Sequence, residues 1–120
     1  MDKKEVEISN LLTEWKNSKV QLEVLFRERN YKNAKVLMDK GIQLFTQVLA
    51  WSNDLPVTLN ETLNYRQLEF KPVNVEERLA FITSRPALYH SYRQLSELMI
   101  EQEKLFVKRN ILKKASKPNG

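Results

Sequence analysis

Apolar positions along the chain recur at spacings of three and four, the period of an α-helix with one face turned inward. From Lys3 to Glu28 the pattern runs through Ile8, Leu11, Leu12, Trp15, Leu22, Leu25 and Phe26. Asn17-Ser18 interrupts it, so the segment reads either as one long helix or as two, with Ser18 capping the second. A second stripe of Ala34, Leu37, Met38, Ile42, Phe45, Val48 and Leu49 predicts a helix over 31–52 capped by Asn30. Gly41 lies inside it. A mid-helix glycine costs about 1 kcal/mol relative to alanine, so close packing against another helix is the expected reason for it. Ser52-Asn53-Asp54-Leu55-Pro56 ends the helix with turn-forming residues.

The middle of the chain is more broken. Thr58 and Glu61 have the spacing of a capping box and predict a short helix over 59–68. Asn74 and Glu77 repeat that spacing after the break at Lys71-Pro72-Val73 and predict a helix over 75–83. Ser84-Arg85-Pro86 then opens the last helix, with proline in the first turn. Its stripe is Leu88, Tyr92, Leu95, Met99, Gln102 and Phe106, widened by Leu98 and Leu105, and it is expected to reach Leu112. The fold class this implies is all-α: a single bundle of about four to five helices over residues 1–114, with 115–120 a frayed basic tail.

Composition agrees. The good helix formers dominate, and the chain's two glycines, Gly41 and Gly120, are too few for the turns of a β domain or a doubly wound one. Cysteine is absent, which rules out a disulfide scaffold and thiolate-bound zinc and fits a reducing cytoplasm. No apolar run approaches the roughly 18 residues of a membrane span, and the charged N-terminus does not read as a signal peptide.

The net charge of +5 is unevenly placed. Lys104, Lys108, Arg109, Lys113, Lys114 and Lys117 all lie in the last seventeen positions, which hold no acid, and the rest is close to neutral. This end is a candidate for weak, salt-sensitive contact with nucleic acid. The alternative is a helix terminus where cations favour the dipole.

Two other stretches are candidates for recognition. Arg85, Tyr89 and Arg93 recur every four residues, so on one helix they would share a face, beside the sole histidine, His90. Two guanidiniums flanking an aromatic suit a small phosphate or carboxylate. Trp51 with Leu55 and Pro56 could form an apolar docking edge, or seal the end of the bundle. The expected chemistry ends there. One histidine makes no metal site, and Glu97, Glu101 and Glu103 have no matching acids on other helices, so no metal and no cofactor is expected. No nucleophile elbow or phosphate-binding loop is present, so no residue is read as catalytic.

Several stretches look like one family. Leu25-Phe26-Arg27-Glu28-Arg29-Asn30, Gly41-Ile42-Gln43-Leu44-Phe45 with Leu49-Ala50-Trp51, Ser84-Arg85-Pro86, and Gln94-Leu95 through Lys104-Leu105-Phe106 resemble the YpoC-like family of uncharacterised bacterial proteins. The resemblance implies a small helical cytoplasmic protein and brings no activity or catalytic residues. The leading expectation is a non-catalytic protein-interaction module. Homo-oligomerisation through the last helix is also open.

Overall fold

The computed structural model of the chain describes residues 3–56 and 63–116. Its helices are α1 (Lys3–Arg27), α2 (Tyr31–Ser52), α3 (Val75–Ser84) and α4 (Tyr89–Ser116), with a single 3₁₀ turn over Tyr65–Gln67 and no strand among the described residues. The fold is therefore all-α, a bundle of four helices. The three long ones pack side by side, and α3 lies against α4.

The first segment is one helix. Ser18 does not cap a second helix; it is buried within α1 together with Ile8, Leu12, Trp15, Leu22 and Phe26. α2 has the limits its stripe predicts, and the Asn30 side chain accepts a hydrogen bond from the Asn33 N–H. Two aromatic residues, Trp15 and Tyr92, meet across the core with ring centroids 6.4 Å apart.

Gly41 marks a close approach between helices. A Cβ there would lie 2.6 Å from the Trp15 ring of α1 and 3.1 Å from a Leu95 methyl of α4. Two neighbouring helices thus converge on a position where any side chain would collide, which accounts for a glycine in the middle of α2.

The ends of α1 and α2 share one device. At each, the residue after the cap takes a left-handed conformation, Arg29 at φ 57° and Asp54 at φ 58°. The following N–H groups then reach back: Asn30 to the Leu25 carbonyl at 2.8 Å and Leu55 to the Ala50 carbonyl at 2.9 Å. This is the Schellman arrangement, which usually uses glycine because a Cβ is strained there. It turns the chain within three residues and makes α1 and α2 antiparallel neighbours.

The middle of the chain departs from expectation in three ways. The expected capping box Thr58–Glu61 and the first part of the expected 59–68 helix lie outside the described residues, and the rest of that segment forms only the 3₁₀ turn. Asn74 precedes α3 in a left-handed conformation, and its side chain makes no cap hydrogen bond. α4 begins at Tyr89 and not at Pro86. Residues 85–88 form a turn, with the Leu88 N–H on the Arg85 carbonyl at 3.3 Å, and the Leu88 carbonyl starts the helix by accepting from the Tyr92 N–H. Leu88 therefore leaves the core and is 42% exposed, whereas Tyr92, Leu95, Leu98, Met99, Gln102 and Phe106 are buried as their stripe requires. At its other end α4 extends past Leu112 to Ser116, so the expected tail is helical at its start.

Candidate functional site

The two ends of the bundle are built from different chemistry. At one end, the last turns of α1 meet the first residue of α2 and the turn before α4. Phe26, on the inner face of α1, is surrounded by tyrosines: edge-on to Tyr89 at 5.6 Å, and 5.7 Å and 6.4 Å from Tyr92 and Tyr31. Tyr89 and Tyr92 are themselves 5.6 Å apart. Tyr92 is buried. Its hydroxyl donates to Glu23 Oε1 at 2.7 Å, and burial together with that carboxylate raises the phenol above its ordinary range, so it stays a donor. Tyr31 and Tyr89 are not buried; they are 49% and 45% exposed.

These side chains frame an open concavity of about 540 Å³ lined by Glu23, Phe26, Arg27, Tyr31, Ala87, Leu88 and Tyr89. Its floor is aromatic, and one acid and one base stand among its lining residues. Phe26, Tyr31 and Glu23 were not legible as parts of one site, because it takes the tight turn at Arg29 to bring Tyr31 back onto α1 and the packing of α4 to bring Tyr89 and Tyr92 to Phe26 and Glu23. The early end of the Pro86 segment completes it: the turn over 85–88 puts Leu88 beside Tyr89 instead of sending it into the core.

The same turn separates the residues expected to bind an anion. Arg85 caps the C-terminus of α3, so it shares no helical face with Tyr89 and Arg93. Tyr89 leans into the aromatic cluster. His90 lies edge-on to Phe81 of α3 at 5.7 Å, and its Nε2 is 3.5 Å from the Gln94 amide. Tyr89, His90 and Arg93 do line a shallow groove of about 330 Å³, but Glu97 lines it with them and Arg85 does not. A carboxylate beside the guanidinium works against an anionic ligand.

The opposite end is closed by charge. Asp54, in the left-handed position after α2, accepts from Lys4 Nζ at 2.6 Å, Arg109 Nη2 at 2.5 Å and Lys113 Nζ at 2.8 Å. Burial alone would raise its carboxyl, but the hydrogen bonds from Lys113, Lys4 and Arg109 outweigh it and hold the group well below the usual carboxylate range. Arg109 is buried, with its guanidinium over the Phe106 ring at 5.7 Å. The basic run expected to contact nucleic acid is thus divided. Arg109 faces inward and Lys113 is paired with Asp54, while Lys104, Lys108 and Lys114 are exposed and Lys117 lies outside the described residues.

Asn53, next to Asp54, ties the broken middle segment to α2. Its side chain accepts from the Phe70 N–H at 2.8 Å and donates to the Phe70 and Leu49 carbonyls. Gln102 Nε2 donates to the same Phe70 carbonyl at 3.0 Å. Trp51 and Leu55, expected as a docking edge, are half-buried against the core, while Pro56 is exposed.

Of the acids weighed as a metal site, Glu101 is occupied otherwise. Arg78 of α3 holds both oxygens of Glu101, at 3.1 and 2.6 Å. Among the described residues no group of three or more histidines or carboxylates is placed to hold a metal ion, and no helix is long and apolar enough to cross a membrane.

Comparison with known proteins gives a family and no activity. The chain is 33% identical over 96 residues to the uncharacterized protein YpoC of Bacillus subtilis strain 168. That match covers 78% of this chain and 58% of the relative, so the chain spans little more than half the relative's length. No solved structure matches it. The family model described as YpoC-like protein matches residues 5–114, nearly the whole described bundle. On that match, the chain belongs to the YpoC-like protein family.

Proposed function

We propose that this chain is a non-catalytic protein-interaction module that takes an apolar anchor side chain of a partner protein into the aromatic concavity between α1, α2 and α4. The observation that carries the reading is the half-exposure of Tyr31, Leu88 and Tyr89 around Phe26. Tyrosines with an apolar face and a polar tip are the side chains most enriched at protein interfaces. Glu23 and Arg27 supply the mixed polar rim that fixes the orientation of an anchor. The setting we propose is the cytoplasm, which a cysteine-free chain fits.

The test is partner capture from cells by the wild-type chain and by the Tyr31→Ala/Tyr89→Ala variant. The proposal expects a defined partner with wild type and at least a tenfold loss with the variant, whose helical circular dichroism is unchanged. Equal recovery by both proteins would overturn it. The nucleic-acid reading has less support, because Arg109 is directed inward and Lys113 is already paired.

A further inference from the structure

Charge around the aromatic concavity narrows the chemistry of its occupant, given that a partner's apolar anchor enters there. Two stretches build its rim: 27–32, where α1 turns into α2, and 85–89, which leads into α4. They carry the cations Arg27, Arg29, Lys32 and Arg85, all exposed, and a single acid, Glu28. Glu23, the acid that lines the concavity, already accepts from the buried Tyr92 hydroxyl. Lys35 is paired with Asp39, and Arg93 shares the adjoining groove with Glu97, so neither adds to the excess.

Among the described residues, no carboxylate lies within ion-pair distance of Arg27, Arg29, Lys32 or Arg85. By contrast, Arg78 is held by Glu101 and Arg109 by Asp54. Arg27 suits the last turn of α1, where the helix dipole favours a cation. Lys32 does not share that reason. It stands in the first turn of α2, which holds no acid, and there the dipole opposes a cation.

The rings give the shape. Tyr31 and Tyr89 are tilted 59° and 81° to Phe26, so they wall a cup for one side chain and do not form a flat platform for successive bases. We infer that the anchor belongs to an acidic segment of a partner protein: an aromatic or leucine side chain seated on Phe26, flanked by aspartates or glutamates that pair with Arg27, Arg29, Lys32 and Arg85. A guanidinium offers a carboxylate two parallel N–H donors, and arginine joins tyrosine among the residues that dominate binding energy at interfaces. This inference rests on the anchor reading of the concavity and adds the partner's charge to it.

The test is selection of a display library of random short peptides on the whole chain at low salt, with the enriched peptides then titrated by fluorescence anisotropy. Enriched peptides are expected to carry Trp, Phe or Leu within a few residues of two or more acids, and to bind more weakly as salt rises. Arg27→Glu/Lys32→Glu, with an unchanged melting temperature, should weaken them at least about tenfold. Tyr31→Ala/Tyr89→Ala should abolish binding. Apolar peptides without acids that bind Arg27→Glu/Lys32→Glu as tightly as wild type would overturn the acidic partner and leave the anchor reading standing. Peptides indifferent to Tyr31→Ala/Tyr89→Ala, or no enriched peptide at all, would overturn both. Single-stranded oligothymidylate that binds more tightly than every enriched peptide would overturn the acidic partner in favour of nucleic acid.

Discussion

The two ends of this bundle handle exposed chemistry in opposite ways. At the Asp54 end, one carboxylate gathers three cations from α1 and α4, and Arg109 is turned inward to reach it. At the Tyr89 end, aromatic side chains gather around Phe26 and then stop, leaving two tyrosines and a leucine half in water. A charge network that satisfies itself offers little to a partner. An unfinished aromatic cluster has surface to lose on binding. Function is therefore sought at the end whose packing is incomplete.

The largest effect should come from breaking the closed end. Asp54→Asn keeps a residue that tolerates the left-handed backbone but removes the charge facing Arg109. Stripping the partner from a fully buried ion costs about 3–5 kcal/mol, and since the Asp54 side chain is itself 45% exposed we expect about 2 kcal/mol in urea unfolding. A loss below about 0.5 kcal/mol, within the range of an ordinary surface change, would mean that the network does not hold this end together.

Gly41→Ala strains the packed middle of the molecule, between the two ends. Overpacking costs about 1–3 kcal/mol, and the gain in helix propensity returns about 1. Because the Trp15 ring is wedged between Gly41 and Tyr92, we expect a net destabilisation of about 1–2 kcal/mol. A stabilised variant would show that the ring yields freely.

The Asp54 end should respond to acid. The Asp54 carboxyl is held below its ordinary range in the folded chain, so its contribution is complete above the unfolded value near 4 and is lost as pH falls through the folded one. Melting temperature should therefore fall below about pH 4, and the fall should be shallower in Asp54→Asn. Identical acid profiles would assign the loss to other carboxylates.

The smallest effect on stability belongs to the open end. Tyr31→Ala and Tyr89→Ala each remove a side chain already half in solvent, so each should cost no more than about 1 kcal/mol. A loss of 3 kcal/mol or more in thermal unfolding would make the tyrosines core residues and the concavity incidental.

The fold was legible where signals agreed locally. α2 shows its stripe, its Asn30 cap and its Asn53–Pro56 stop within one stretch of chain, and Gly41 pointed correctly to a close helix crossing. The start of α4 was misplaced because proline in a first turn and proline in a preceding turn leave the same mark, and only the Leu88–Arg85 hydrogen bond distinguishes them. The Schellman ends were hidden because Arg29 and Asp54 stand where glycine would have announced them. Of the site, Tyr89 was legible as an aromatic flanked by arginines, but Phe26 and Tyr31 were not. The Asp54 network was invisible for a simple reason: its cations lie 50, 55 and 59 residues away, and no sequence spacing encodes such a meeting.

The claim that function sits at the open end is tested most directly by site-specific photo-crosslinking in cells, with the same reactive side chain placed at Leu88 or at Pro56. Both positions accept it at the surface, one at each end of α2's neighbourhood. A discrete crosslinked partner is expected from position 88, abolished by Tyr31→Ala, with only background from position 56. The same partner from position 56, with none from 88, would contradict it.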